Sequence, residues 1–185
     1  MLARTPKPER PPSPLWTDLL LVTFLIGFDV VARLLPHAPG FMPIAASALF
    51  AGRMLRMPRF APLVPLAAMA LSATFMGPDD WRVTLVVYAA ITLPAFAGML
   101  SQRWRGIIVP FAVMLPCSLI FFVATNFAVW AFSGMYPLTW AGLAQCYILA
   151  LPFLQNTLAG DMFWTAALFG GAWMTQGLPA LSRSR

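Results

Sequence analysis

Polar side chains are concentrated in one part of an otherwise apolar chain, between residues 125 and 161. Amides, hydroxyls, a carboxylate and aromatic faces can bind a small molecule through hydrogen bonds and stacking. For any one of them, a helix cap or an interhelical hydrogen bond is the simpler explanation, and it is their concentration that indicates a site. The predicted binding residues are Asn126, Trp130, Gln155, Asn156 and Asp161.

The start of the last apolar run is important for this prediction. If a helix begins near Asn156 or Thr157, its first backbone N–H groups have no partner within the helix. Such groups bind anions and other polar ligands. We therefore predict a helix start here that contributes backbone donors to the site.

Two charged residues also lie inside the first apolar run. Asp29 and Arg33 are four residues apart, so on a helix they share a face and can form an ion pair in the acid-first order that helices favour. Charged groups within a membrane are costly and need a partner. The pair is therefore either a structural ion pair or part of a substrate-facing surface.

The sequence contains no signature of catalysis. Nucleotide-binding loops, zinc-protease motifs and the hydrolase nucleophile motif are absent, and a single histidine, His37, cannot form a triad or a metal site with scattered acids. Cys117 and Cys146 lie in apolar stretches, where we predict small core residues. We expect no enzyme activity, no metal and no cofactor.

Composition predicts the class of protein. Hydrophobic residues make up 60% of the chain and charged residues 10%, with a mean hydropathy of +0.77, whereas soluble domains carry about 25% charged residues. We therefore predict an integral membrane protein of the all-α class, with the lipid bilayer as its solvent. The basic residues form short clusters between apolar runs, without interleaved aromatics, so we expect no nucleic-acid partner despite the net charge of +6.

The apolar runs predict a bundle of about six membrane-spanning helices over residues 15–178, between a disordered tail at 1–14 and a short tail at 179–185. The second run is short and rich in alanine, serine and glycine, so we predict that it is an interior helix. The predicted spans are Trp16–Leu35, Phe41–Gly52, Phe60–Met76, Arg82–Leu100, Gly106–Phe132 and Thr157–Met174.

One more apolar segment, Leu138–Pro152, could add a seventh crossing. Arginine clusters at residues 53–59, 103–105 and 183–185 all fall on the cytoplasmic side if there are six crossings and the N-terminus is cytoplasmic. Seven crossings would place the last cluster outside. We therefore predict a re-entrant or broken segment at 138–152, in a multi-pass protein of the cell inner membrane with both termini cytoplasmic.

Several segments resemble an uncharacterised family of small bacterial integral membrane proteins, which is in turn distantly similar to the substrate-binding S components of energy-coupling-factor (ECF) vitamin transporters. The resemblance implies six helices, cytoplasmic termini and a ligand pocket open to the outside. It does not extend to the first span, which lacks an Ala-x-x-x-Ala docking face for a shared energising module. The segments are Phe41–Gly52, Phe122–Trp130, Gly134–Gly142 and Pro152–Asp161.

These observations favour a binding and uptake subunit for a vitamin-like small molecule. Its expected partners are the bilayer, the small-molecule ligand and a membrane partner subunit. The alternative is a structural or assembly subunit of a larger membrane complex, without a ligand, in which the region around Asn126 contacts another protein. A membrane enzyme that acts on lipid fits the sequence least well.

Overall fold

The computed structural model describes the backbone of residues 14–75 and 80–182 and the side chains of residues 15–75 and 80–174. Within these ranges the chain is all-helical, which confirms the predicted all-α class. Residues 1–13 and 183–185, which belong to the two predicted tails, lie outside the described residues. The elements are α1 (Pro14–Leu34), α2 (Ile44–Met54), a 3₁₀ turn (Pro58–Phe60), α3 (Leu63–Ala73), α4 (Trp81–Leu100), α5 (Val109–Phe132) and α6 (Trp140–Ser182).

Among the described residues, three helices are long and apolar enough to cross a membrane: Leu15–Leu34, Trp81–Leu100 and Val109–Phe132. α2 and the segment Pro58–Ala73 are apolar but shorter. Large apolar side chains such as Leu20 and Phe24 are more than half exposed, as is expected where lipid surrounds a bundle. The chain is therefore a membrane-type helical protein, and crossings beyond these three stay a prediction.

α2 is the central helix of the bundle. Every residue from 44 to 52 is buried, which confirms the prediction that this small-residue helix is interior. It packs closely against α4: a Cβ atom on Gly98 would lie 2.6 Å from the carbonyl oxygen of Leu49, and one on Gly52 would overlap the carbonyl of Ala95. Since membrane helices associate largely through van der Waals packing, these glycines allow the close approach.

The beginning of α1 and the connections that follow α2 and α4 meet at one end of the bundle. Asp18 accepts hydrogen bonds from the backbone N–H groups of Arg56 and Met57, at 3.3 and 2.7 Å. Gln102 Nε2 donates to the carbonyl of Gly52 at 2.8 Å. We call this the arginine-rich end, because its two connections hold Arg56, Arg59, Arg103 and Arg105.

The predicted break before the last helix is wrong. α6 is one continuous α-helix of 43 residues, from Trp140 to Ser182, and Pro152 lies within it. Helices in membrane proteins tolerate proline when neighbouring groups satisfy the backbone. α5 supports the first half of α6, where the Tyr147 hydroxyl donates to the Val123 carbonyl at 2.7 Å. The additional apolar segment thus extends the last helix to about 65 Å and needs no re-entrant loop.

Candidate binding cavity

A cavity of about 90 Å³ lies among helices α1 to α6, and each of the six helices contributes at least one lining residue. Its volume is several times the roughly 10–15 Å³ that one buried water needs, and below the roughly 300–1,000 Å³ of sites for drug-sized ligands. It therefore suits a small molecule or one group of a larger molecule. The lining is mostly apolar and includes Ile44, Ala45, Val87, Ile91, Pro94 and Phe121. Its polar members are Arg33, Ser118, Thr157 and Asp161.

Asp161 supplies the acidic group of this cavity. Its side chain is 3% exposed, and its Oδ2 accepts a hydrogen bond of 2.5 Å from the hydroxyl of Ser118 on α5. A buried carboxyl group requires hydrogen bonds to offset the loss of water. The Ser118 hydroxyl provides one such bond and joins α5 to α6 at the cavity wall.

Arg33 supplies the basic group, from the last turn of α1. Its Nη1 lies 3.0 Å from the sulfur of Met69 on α3, and both side chains line the cavity. A thioether is a weak acceptor, and a guanidinium group has five N–H donors. The cavity thus holds groups of opposite charge on two different helices, Arg33 on α1 and Asp161 on α6.

Asp29, the predicted partner of Arg33, lies outside the cavity lining. It is fully buried, and its Oδ1 accepts a hydrogen bond of 2.8 Å from the hydroxyl of Ser47 on α2. Its other oxygen, Oδ2, has no hydrogen-bond partner among the described residues. The contacts seen at this depth are Asp29 with Ser47 and Arg33 with Met69, and the ion pair between Asp29 and Arg33 stays a prediction.

Asn126 and Trp130 do not line the cavity and make contacts within their own region. Asn126 Nδ2 donates to the carbonyl of Phe122 at 2.8 Å, one turn earlier in α5. Trp130 Nε1 donates to the carbonyl of Pro137 at 3.1 Å, across the connection that leads into α6. These bonds stabilise α5 and the following turn. The side-chain bond of Asn126 lies within its own helix and is not the interhelical bond of its structural interpretation.

Gln155 and Asn156 are also absent from the cavity lining. Gln155 is exposed and Asn156 is half-buried. The predicted helix start at Asn156 or Thr157 is wrong, because both residues lie in the middle of α6. Their backbone N–H groups belong to a continuous helix, so this position does not have the free donors of a helix N-terminus.

The connection between α1 and α2 closes against α6 beside the cavity. Gly40 and Thr157 both line the cavity, and a Cβ atom on Gly40 would lie 2.5 Å from Thr157 Oγ1. Gly40 has a φ of +83°, a conformation that favours glycine. Nearby, the ring of Phe41 packs against Phe163 with centroids 5.6 Å apart. A glycine at position 40 therefore allows the connection to lie directly on α6.

Ser118 was not among the predicted binding residues. A serine within an apolar helix usually bonds to its own backbone, so its presence alone gives little signal. Ser118 also lies within 3.1 Å of the Met114 carbonyl, which is that ordinary arrangement. Its proximity to Asp161, 43 residues later, depends on how α5 and α6 pack.

The helices and the cavity define a membrane-type helical protein with an acidic and a basic group in one internal site. The chain belongs to a family of unknown function (DUF6580), whose model matches residues 14–181. No curated protein and no solved structure matches the chain. The comparisons thus establish a family without an assigned function and show no link to ECF S components.

Proposed function

We propose that the protein is a membrane subunit that binds a small polar molecule in this cavity and takes part in its uptake. The observation that supports the proposal is that Arg33 and Asp161, from two different helices, line one cavity. Charged side chains at membrane depth are costly and commonly mark the path of a substrate or ion. A ligand in the cavity can form hydrogen bonds with both groups.

The lining indicates the chemistry of the ligand. The planar guanidinium group of Arg33 suits a carboxylate or another oxyanion. Asp161 and Thr157 can bind an amine or a hydroxyl group of the same molecule, and the apolar wall contacts its carbon atoms. The ligand is therefore a small amphipathic molecule with an acidic group and at least one hydrogen-bond donor. Binding and release require no chemical step.

The orientation follows from charge. We propose that the arginine-rich end faces the cytoplasm, since cytoplasmic connections carry an excess of Lys and Arg. In this proposed orientation the cavity faces the outer side of the cell inner membrane, because Gly40 and Met42 in its lining belong to the connection at the other end of α1. This arrangement agrees with the proposed similarity to vitamin-binding S components, which also act with a membrane partner subunit.

The test is ligand binding by the purified protein in lipid nanodiscs. A panel of water-soluble vitamins and their carboxylated precursors is screened for compounds that raise the unfolding temperature, and uptake of each radiolabelled hit is then measured in cells. Asp161→Asn keeps the size of the side chain and removes its charge, so binding of the hit should weaken at least tenfold. Gln155→Ala, on the exposed side of the same helix, is the matched control and should bind normally.

Two results would contradict the proposal. One is a folded, inserted Asp161→Asn protein that binds and transports each hit as well as the unchanged protein. The other is the absence of any hit together with co-purification of a stoichiometric membrane partner, which would favour the assembly subunit.

A further inference from the structure

A second cavity lies at the arginine-rich end and shares none of its lining residues with the binding cavity. Its volume is about 480 Å³, and it is open to the outside of the bundle. We call it the basic cleft. It is lined by Arg53, Met54, Gln102, Trp104, Arg105, Gly106, Ile107, Pro110, Phe169 and Trp173.

The wall of the basic cleft is held in place by hydrogen bonds to backbone carbonyls. Arg53 Nη1 donates to the carbonyl of Ser101 at 2.5 Å, and Nη2 donates to the carbonyl of Trp104 at 2.9 Å. Gln102 Nε2 donates to the carbonyl of Gly52 at 2.8 Å. These bonds fix the connection between α4 and α5 to the end of α2, so the cleft is formed before any ligand arrives.

The charge of the basic cleft is positive. Arg53 and Arg105 line it, and no carboxylate does among the described residues. Asp18, an acidic residue at this end, is buried and accepts the backbone N–H groups of Arg56 and Met57. Arg105 is exposed, so its guanidinium group can reach an anion in the cleft. The site therefore favours a negatively charged group.

The remaining lining is apolar and aromatic. Ile107 and Trp104 are more than half exposed and form an apolar surface with Trp173, while Pro110 and Phe169 also line the cleft but are buried. Tryptophan is enriched where a membrane meets water, because its ring is apolar and its N–H is polar. A free anion would leave this apolar surface without a partner, whereas the acyl chain of a lipid would cover it.

We propose that the basic cleft binds an anionic phospholipid. Arg105 contacts the phosphate together with the N–H groups of Arg53 that do not bond to the connection. The first part of an acyl chain lies along Ile107 and Trp104. Basic pockets between membrane helices bind the headgroups of anionic lipids in this manner. The site is independent of the proposed uptake function, because no residue is shared between the two cavities.

The experiment compares lipids on the delipidated full-length protein in detergent. Binding is measured by native mass spectrometry and by the shift in unfolding temperature, with phosphatidylglycerol, phosphatidylcholine or sn-glycerol 1-phosphate added. Phosphatidylglycerol should bind at least tenfold more tightly than phosphatidylcholine. Arg105→Gln should weaken phosphatidylglycerol binding about fivefold, corresponding to the roughly 1 kcal/mol of one basic residue near an anionic surface.

The matched control is Arg103→Gln. Arg103 is exposed in the same connection but does not line the basic cleft, so its loss should change binding less than twofold. Equal losses in the two variants would overturn the proposal in favour of diffuse attraction between positive charge and lipid. Equal binding of the two phospholipids would overturn it as well. If sn-glycerol 1-phosphate binds as tightly as the lipid, the cleft is a site for soluble phosphate compounds instead.

Discussion

The two cavities differ in how their arginines are held. In the basic cleft, the guanidinium group of Arg53 donates to two backbone carbonyls, which are strong acceptors. In the binding cavity, Nη1 of Arg33 contacts the sulfur of Met69, a weak acceptor. Arg53 therefore fixes the connection between α4 and α5, whereas Arg33 lines a cavity that also contains the carboxyl group of Asp161. We therefore predict that the bonds of Arg53 to the connection stabilise the fold, and that the position of Arg33 in the cavity lining serves ligand binding.

The largest effect on stability is expected for Arg53→Ala. The substitution removes two charge-assisted hydrogen bonds and leaves the carbonyls of Ser101 and Trp104 without these donors. We expect the free energy of unfolding to fall by about 2–4 kcal/mol, measured by denaturation in detergent micelles. Arg56→Ala is the control, because this exposed side chain should contribute less than about 0.5 kcal/mol. If Arg53→Ala and Arg56→Ala lower the free energy of unfolding equally, the hydrogen bonds of Arg53 do not have the proposed stabilising role.

An intermediate effect is expected for Gly40→Ala. The new alanine would have to keep the left-handed backbone conformation of residue 40. Its Cβ atom would also lie 2.5 Å from Thr157 Oγ1. We expect a loss of about 2–3 kcal/mol and weaker ligand binding, since Thr157 lines the binding cavity.

Gly106→Ala, at the basic cleft, is the matched control for Gly40→Ala. Gly106 has a φ of +126°, but its Cβ would meet only Val109 Cγ2, at 3.8 Å. This variant should show the backbone strain alone, about 1 kcal/mol, and normal binding in the other cavity. The double variant Gly40→Ala, Thr157→Ala should recover part of the loss. A double variant whose stability is the sum of the two single losses would show that Thr157 is not the obstacle.

The smallest effect on stability is expected for Arg33→Gln. Glutamine keeps a polar group and much of the side-chain length, so we expect the free energy of unfolding to change by less than about 1 kcal/mol. Binding of a ligand from the vitamin panel should nevertheless weaken at least tenfold, as measured by titration calorimetry in nanodiscs. If the Arg33→Gln variant is strongly destabilised but the folded protein binds the ligand normally, Arg33 has a structural role like that of Arg53.

The fold class and the interior helix could be predicted from the sequence, and the course of the last helix could not. A deficit of charge and runs of apolar residues predict membrane helices, and the small residues of α2 predict close packing. The arginine clusters favour six crossings over seven, and this predicts a break in the extra apolar segment 138–152. A helix can, however, be longer than the bilayer is thick, and hydropathy does not report where such a helix ends.

The site was predicted only in part, for a related reason. Asp161 was predicted from the concentration of polar residues and Arg33 as a charge inside an apolar run, and both line the binding cavity. Asn126 and Trp130 are equally polar but face their own helix and turn. Since α5 is almost uniformly apolar around its circumference, its sequence pattern does not show which face meets α6.

The unbroken course of α6 has a mechanical consequence. The same helix carries Asp161 in one cavity and Trp173 in the other, about 18 Å farther along its axis. Because the helix is continuous between them, a tilt of this segment on binding of the proposed ligand would also displace Trp173. Occupancy of the binding cavity would then change the shape of the basic cleft.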